Sequence, residues 1–96
     1  MRLFRRKASA LPPALRLLSR PGCHLCERMS EAASPLVLEL GGTLAVVNVD
    51  EDPVLSARWG DQIPVLVDEE GRVVAKARDS ADRIRRRLAK RRASRA

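Results

Sequence analysis

The chain contains almost no aromatic side chains. Of its 96 residues only Phe4 and Trp59 are aromatic, and tyrosine is absent. A hydrophobic core must therefore be built from Leu, Val, Ile and Ala. Hydrophobic residues make up 45% of the chain, which is enough to form one small domain and argues against wholesale disorder.

Long apolar runs are also missing. No stretch approaches the ~20 apolar residues that cross a bilayer, so we expect no membrane partner. The basic N-terminus resembles the start of a secretion signal, but Pro12, Pro13 and Arg16 interrupt the apolar segment that such a signal needs. We therefore expect a cytoplasmic protein in a reducing compartment. There, Cys23 and Cys26 are expected to be redox-active or metal-binding rather than a structural disulfide.

Net positive charge is confined to the two ends of the chain. The net charge is +7, from 19 Lys and Arg against 12 Asp and Glu. Residues 1–20 and 83–96 together hold 14 of the basic residues and none of the acidic ones, so residues 21–82 carry a net charge of −7. Basic ends either bind polyanions or remain solvated. No aromatic residue is interleaved with the C-terminal tail to stack on bases, which argues against a nucleic-acid partner.

The hydrophobic pattern predicts an α/β domain with the order β-α-β-α-β-β-α. Strands are predicted at 14–18, 44–49, 63–67 and 72–77, and helices at 25–40, 53–59 and from about residue 80 onwards. The nearly continuous apolar run at 44–49 predicts a strand that is covered on both faces. The first two strands are joined by a helix and should be parallel, whereas the turn at 68–71 predicts a closing hairpin.

For the last helix and the first one, the sequence predicts the roles of individual residues. Asp79 or Ser80 is expected to cap the last helix, which places Ile84 and Leu88 on its inner face. Pro35 lies within the first helix and is expected to kink it, since it supplies no amide hydrogen.

The cysteine pair falls where the first helix begins. Free amides and the positive end of the helix dipole at that position favour a thiolate over a thiol at Cys23. Arg20 and His24 can add positive potential. Cys26 follows about one helical turn later, so its sulfur can reach Cys23. This order predicts that Cys23 is the exposed nucleophile and Cys26 the more buried resolving thiol.

Metal sites use the same cysteine spacing, so they need separate consideration. A closed structural zinc site requires four ligands, and this chain offers only two cysteines and His24. We therefore expect neither a metal nor another bound cofactor within one chain, and leave open a metal bridging two chains. Copper carriers place such a pair in a β-α-β-β-α-β order, which the predicted terminal helix opposes.

Three stretches resemble the glutaredoxin-like branch of the thioredoxin superfamily: residues 17–26, 47–53 and 62–66. The resemblance covers residues 14–90, which leaves 1–13 as a basic extension and 91–96 as a basic tail. It implies a thioredoxin fold, with a central mixed sheet flanked by helices. It also implies that Pro64 is a cis-proline beside the cysteines, and that the backbone of Ile63 pairs with an extended substrate or with glutathione.

The same resemblance assigns further residues to glutathione. By analogy Arg20 would face a glutathione carboxylate, and Asp79 would face its amino group. The family pattern usually has Cys-Pro-Tyr-Cys or Cys-Gly-Phe-Ser where this chain has Cys-His-Leu-Cys. It also has a Gly-Gly turn before the last helix, whereas residues 75–80 contain no glycine.

Together these observations predict a monomeric thiol–disulfide oxidoreductase. It would reduce protein disulfides or glutathione mixed disulfides through the Cys23–Cys26 dithiol, with glutathione as a co-substrate. The alternative is a thioredoxin-fold module with low turnover that senses redox state or binds a partner.

Overall fold

The computed structural model describes residues 12–77, 79 and 81–94. The strands are β1 (Ala14–Ser19), β2 (Thr43–Asn48), β3 (Val65–Val67) and β4 (Val73–Lys76), and the helices are α1 (His24–Glu39), α2 (Pro53–Trp59) and α3 (Ala81–Ser94). A short 3-10 turn at Val49–Glu51 precedes α2. The predicted order of strands and helices is confirmed.

The four strands form one mixed sheet in the order β2-β1-β3-β4. β1 pairs in parallel with β2, and β3 is antiparallel to both β1 and β4. The predicted parallel pair and the closing hairpin are therefore confirmed. Asp68 holds the hairpin turn, because its Oδ1 accepts hydrogen bonds from the amides of Glu70 and Arg72, both at 2.9 Å.

The core lies on both faces of the sheet. Helices α1 and α3 cover one face, where Leu15 and Leu17 of β1 pack with Ile84 and Leu88 of α3. Ile84 and Leu88 are 0% and 1% exposed, so their predicted place on the inner face of the last helix is confirmed. On the other face, a smaller cluster forms around Leu18 of β1.

The prediction that residues 44–49 form a strand covered on both faces is wrong. β2 ends at Asn48, lies at the edge of the sheet and has no fully buried residue. Val46 is 63% exposed, whereas Val49 leaves the strand and is buried in the 3-10 turn. A continuous apolar run is typical of a central strand, but it does not indicate which strands and helices will lie beside it.

The end of α1 is packed tightly against the start of β1. The helix is continuous through Pro35 and ends at Glu39, just before Gly41 and Gly42, and the kink expected at Pro35 stays a prediction. The amide of Gly42 donates to the carbonyl of Val37 at 2.9 Å. A side chain at Gly42 would run into the carbonyl of Pro13, so the absence of a Cβ there permits the close approach.

The last helix begins at Ala81 and continues to Ser94. Ser80, one of the two predicted caps, lies outside the described residues. The division of the chain at residues 13 and 90 stays a prediction. None of the described helices combines the length and the apolar character that a membrane span needs.

Candidate active site

Cys23 stands at the junction between the central strand and the first helix. β1 ends at Ser19, a three-residue loop follows, and Cys23 is the N-cap of α1. Its Sγ accepts a hydrogen bond from the amide of Cys26 at 3.2 Å. The two cysteines form a disulfide, with their Cα atoms 5.2 Å apart.

The two sulfurs differ in their access to solvent. Cys26 is 3% exposed, whereas Cys23 is partly exposed. Cys23 lines a surface cavity of about 300 Å³ that also includes Glu27 of α1 and Val46 and Asn48 of β2. An attacking Cys23 has to be accessible, whereas a resolving Cys26 can be buried, so the difference in exposure is compatible with these roles. The roles themselves remain a prediction.

Arg20 lies in the wall of this cavity but its charge is shared with an acidic neighbour. Its Nη2 is 3.0 Å from Oδ1 of Asp50, and its Nε is 3.3 Å from both carboxylate oxygens. The amide of Asp50 in turn donates to the side chain of Asn48 at 2.9 Å. Arg20 is therefore held in place by the chain after β2, and its positive potential near Cys23 is reduced.

Sequence reasoning missed Asp50, although a signal was present. β1 and β2 are parallel, so residues that follow them must meet at the same end of the sheet. Ser19 pairs with Asn48, which places Arg20 close to the residues that follow β2. An acidic residue soon after β2 was thus a candidate partner for Arg20.

His24 points into solvent. Its side chain is 93% exposed, and its Nδ1 lies 3.6 Å from Oε1 of Glu27 one turn along the helix. It is not among the residues that form the cavity around Cys23. The contribution of His24 to the thiol chemistry stays a prediction.

The peptide bond between Ile63 and Pro64 is cis, as the family resemblance implies. Pro64 is buried and its carbonyl accepts a hydrogen bond from the amide of Ala77 at 2.8 Å. Val65 pairs with Leu18, so the proline flanks the end of β1 on the side opposite to β2. The pairing of Ile63 with a substrate stays a prediction.

The carboxylate of Asp79 is engaged by groups of the chain itself. It accepts hydrogen bonds from the amide of Lys76 at 2.9 Å, from Arg87 at 2.9 Å and from Arg83 at 3.2 Å. Its side chain is 12% exposed. Burial opposes ionisation, but the Lys76 amide and the charges of Arg87 and Arg83 outweigh it, so the pKa of Asp79 lies below its ordinary value.

A second cavity, of about 460 Å³, lies on the Asp79 side of α1. Leu25 and Arg28 of the helix line it together with Ala77 and Asp79. Ala77 has a φ of 44°, in the left-handed region that glycine favours. The chain therefore makes a glycine-like turn before α3 although it has no glycine there.

The structure thus places two of the predicted site residues, Arg20 and Asp79, in separate cavities. Arg20 lines the first cavity together with Cys23, and Asp79 lines the second cavity together with Leu25. Within the described residues, no group of three or more His, Cys, Asp and Glu side chains is placed to hold a metal ion.

Comparison with curated proteins finds relatives of no assigned function. The uncharacterized protein Rv0508 of Mycobacterium tuberculosis is 37% identical over an alignment of 60 residues, which covers 57% of this chain and 62% of that protein. The chain therefore spans less than two thirds of the length of the curated relatives it matches.

Solved structures extend the similarity to most of the chain. The structural-genomics target protein XcR50 from X. campestris shares 34% identity over 80% of this chain and 97% of that one, with a TM-score of 0.69. A mutant thioredoxin from Halobacterium salinarum, 20% identical over 90% of this chain and 80% of that one, has the same fold with a TM-score of 0.57. The model of the glutaredoxin-like domain (DUF836) matches residues 14–89. On this match, and with a thioredoxin fold that carries the Cys23–Cys26 pair at the head of α1, the chain belongs to the glutaredoxin-like domain family.

Proposed function

We propose that the chain is a dithiol oxidoreductase that reduces disulfides, with protein disulfides favoured over glutathione mixed disulfides. The observation that carries the proposal is the arrangement of the cysteine pair. A partly exposed Cys23 caps a helix at the wall of a surface cavity, and it is bonded to a buried Cys26.

The reaction begins from the reduced dithiol. The Cys23 thiolate attacks one sulfur of the substrate disulfide, a mixed disulfide forms, and the other substrate sulfur leaves as a thiolate that takes up a proton. The Cys26 thiol then loses its proton and attacks Cys23, which releases the second substrate thiol. Two electrons pass to the substrate and the Cys23–Cys26 disulfide remains. An external thiol reductant restores the dithiol.

The helix end supplies the stabilisation that the attacking sulfur needs. The amide of Cys26 already donates to Sγ of Cys23 at 3.2 Å, and a thiolate accepts such a bond more strongly than a thiol does. The helix dipole acts in the same direction. Arg20 contributes less than the sequence suggests, because Asp50 neutralises part of its charge.

The surroundings of Asp79 support the preference for protein disulfides. In the resemblance to glutaredoxins this residue would bind the amino group of glutathione. Here Lys76, Arg83 and Arg87 already donate to it. The charge of the carboxylate is already balanced by two arginines, and three of its roughly four acceptor positions are taken, so a glutathione ammonium group would gain little from Asp79.

Two substrates tested side by side examine the proposal. One is a glutathionylated peptide in excess glutathione, and the other is a small protein with an accessible disulfide in the presence of a dithiol reductant. Cys23→Ser serves as the blank in both assays. We expect turnover of the protein disulfide that depends on Cys23, and slower turnover of the glutathionylated peptide.

Different results would redirect the proposal. Faster turnover of the glutathionylated peptide would contradict the preference but keep the chemistry. A dithiol that oxidises and reduces reversibly, yet turns over neither substrate above the blank, would contradict the enzyme proposal. It would favour the alternative, a redox-sensing or partner-binding module.

A further inference from the structure

We propose that the side of the site next to Pro64 selects polypeptide disulfides that are flanked by acidic side chains. Three cations, Arg28, Arg58 and Lys76, would attract the carboxylates of such a substrate. The inference rests on the proposed function and names the class of substrate that Cys23 attacks.

Basic side chains are scarce in the body of the chain. Residues 21–82 hold only five Lys and Arg residues, against all 12 acidic ones. Three of the five are the cations named above. Arg72 belongs to the hairpin turn instead, where its Nη2 lies 3.6 Å from Oε1 of Glu70. The three cations are therefore a positive group within a segment that is acidic as a whole.

Lys76 lies directly beside the segment that contains the cis-proline. It pairs with Val65 across the hairpin of β3 and β4, and Val65 follows Pro64 in the chain. Its Nζ donates to Oε1 of Gln62 at 3.0 Å, and Gln62 precedes Ile63. The ammonium group is thus held next to the backbone that we expect to pair with an extended substrate.

Trp59 holds two of the cations close together. The Cζ of Arg58 lies 4.9 Å from the centroid of the indole ring, and the Nζ of Lys76 lies 5.6 Å from it. The face of an aromatic ring attracts a cation but does not neutralise it. The amide of Gln62 donates to the carbonyl of Trp59 at 2.8 Å, which joins this cluster to the loop before the cis-proline.

Arg28 lies on the other side of this segment. Trp59 packs on one face of the sheet, whereas Arg28 belongs to α1, which covers the other face. Arg28 lines the cavity of about 460 Å³ together with Leu25 and Ala77. The amide of Ala77 donates to the carbonyl of Pro64 at 2.8 Å, so this cavity adjoins the cis-proline. Cations therefore flank the segment on both faces of the sheet.

No carboxylate of the chain cancels these charges. All 12 acidic residues lie within the part of the chain that the structure describes, and none of them forms an ion pair with the three cations. Asp79 also lines the cavity of Arg28, but Arg83 and Arg87 pair with it and balance its charge. The region around the cis-proline is therefore positive.

The other cavity beside Cys23 has a different balance of charge. Its charged lining residues are Arg20, which pairs with Asp50, and Glu27. Carboxylates of a substrate are thus repelled on that side and attracted towards the cis-proline. A substrate segment that runs past the cis-proline would bring acidic side chains near its cysteine into the positive region.

Glutathione matches this pattern less well than an acidic polypeptide does. It carries an ammonium group beside one of its carboxylates, and the positive region repels that group. The acidic side chains of a polypeptide carry no such group. The charges around the cis-proline therefore act in the same direction as the surroundings of Asp79, towards protein disulfides.

The test compares three synthetic peptides with the full-length, reduced chain. In each, a cysteine is held in a disulfide with 2-mercaptoethanol, and its two neighbours on either side are all Asp, all Asn or all Lys. The second-order rate constant for reduction is measured in a single turnover. It is divided by the rate constant of dithiothreitol with the same peptide, which removes the effect of the flanking charges on the disulfide itself.

At low ionic strength we expect the corrected rate constant to be about fivefold higher for the Asp peptide than for the Asn peptide, the effect of one or two exposed ion pairs. The Lys peptide should react most slowly. Raising the ionic strength from 0.01 M to 1 M shortens the Debye length from about 30 Å to about 3 Å, so the preference should disappear. Equal values for the Asp and Lys peptides at low ionic strength, or a preference that salt leaves unchanged, would overturn the proposal.

Two variants locate the selection. Lys76→Gln and Arg28→Gln each remove one charge from an exposed side chain. We expect each to lower the ratio of the Asp value to the Asn value by about twofold, since three cations share the effect. Lys90→Gln is the matched control, because Lys90 is exposed and follows Ala89, which lies near Leu40 at the end of α1 remote from the cysteines. Equal effects of Lys76→Gln and Lys90→Gln would contradict the proposal.

A purely structural role of Lys76 would give a different result. Lys76→Arg keeps the charge and should keep the ratio of the Asp value to the Asn value. If Lys76→Gln instead slows all three peptides by the same factor, Lys76 only positions the loop before the cis-proline, and the proposal is overturned.

An uncharged substrate, bis(2-hydroxyethyl) disulfide, separates this proposal from the general one. If the wild-type chain reduces neither that disulfide nor any of the peptides, the proposed function fails and this inference fails with it. If it reduces all of them without regard to charge, only the selection of acidic substrates fails.

Discussion

Replacing Ala77 by glycine is expected to stabilise the protein, although the same change weakens most positions. Ala77 has a φ of 44°, ahead of α3. A residue with a Cβ has to adopt the left-handed conformation there, whereas glycine does so freely. The amide of Ala77 keeps its bond to the carbonyl of Pro64 in either case, since the backbone does not change.

The magnitude follows from two opposing effects. The left-handed conformation costs a non-glycine residue about 1–2 kcal/mol. Glycine loses more backbone freedom on folding, which costs about 0.5–1 kcal/mol relative to alanine. Ala77 is exposed, so its methyl group adds little by burial. The net effect of Ala77→Gly is thus a gain of about 0.5–1 kcal/mol in the free energy of unfolding.

Urea unfolding followed by circular dichroism measures this gain as a shift in midpoint at constant slope. Ala89→Gly is the matched control, because Ala89 is exposed in the ordinary helical conformation of α3. We expect that control to lose about 1 kcal/mol. A loss of similar size in Ala77→Gly would refute the left-handed turn and with it the likeness of this turn to the glycine turn of glutaredoxins.

Three further changes test the fold and its electrostatics. Leu88→Ala removes a side chain that is 1% exposed in the core, and should lower the free energy of unfolding by about 2–5 kcal/mol in urea titrations; a loss below 1 kcal/mol would contradict its burial. Asp52 caps α2 by accepting from two amides, so Asp52→Ala should cost about 1 kcal/mol in the same assay, and no loss would mean that the cap is unimportant. The pKa of Asp79 is lower in the folded than in the unfolded chain, so its stabilisation is present above about pH 4 and is lost as the pH falls further. Unfolding free energy measured from pH 6 to pH 2.5 should therefore fall less steeply in Asp79→Asn, and parallel curves would refute the ion pairs.

Much of the fold could be predicted because its signals are local. Asp52 followed by Pro53 is a helix start that depends only on neighbouring residues, and the helix predicted at 53–59 ends where Gly60 follows. The turn at residues 68–71 depends on one aspartate side chain and a glycine. The cysteines at a helix start follow from the strand, turn and helix in the same way.

What could not be predicted depends on which elements become neighbours. The apolar run of β2 gave no sign that the strand lies at the edge of the sheet. The partner of Arg20, Asp50, is 30 positions away along the chain. The sequence indicated that Asp79 could bind a ligand. It did not indicate the ion pairs of Asp79 with Arg83 and Arg87, because these form only when α3 packs in place.

The most direct test of the account is to trap the intermediate of the exchange reaction. Cys26→Ser and Cys23→Ser variants are incubated with a protein disulfide substrate, and the products are separated without reductant and identified by mass spectrometry. The account predicts that Cys26→Ser accumulates a mixed disulfide through Cys23, while Cys23→Ser forms none and has no turnover. Equal trapping by both variants, or turnover in Cys23→Ser, would contradict the assignment of Cys23 as the attacking sulfur.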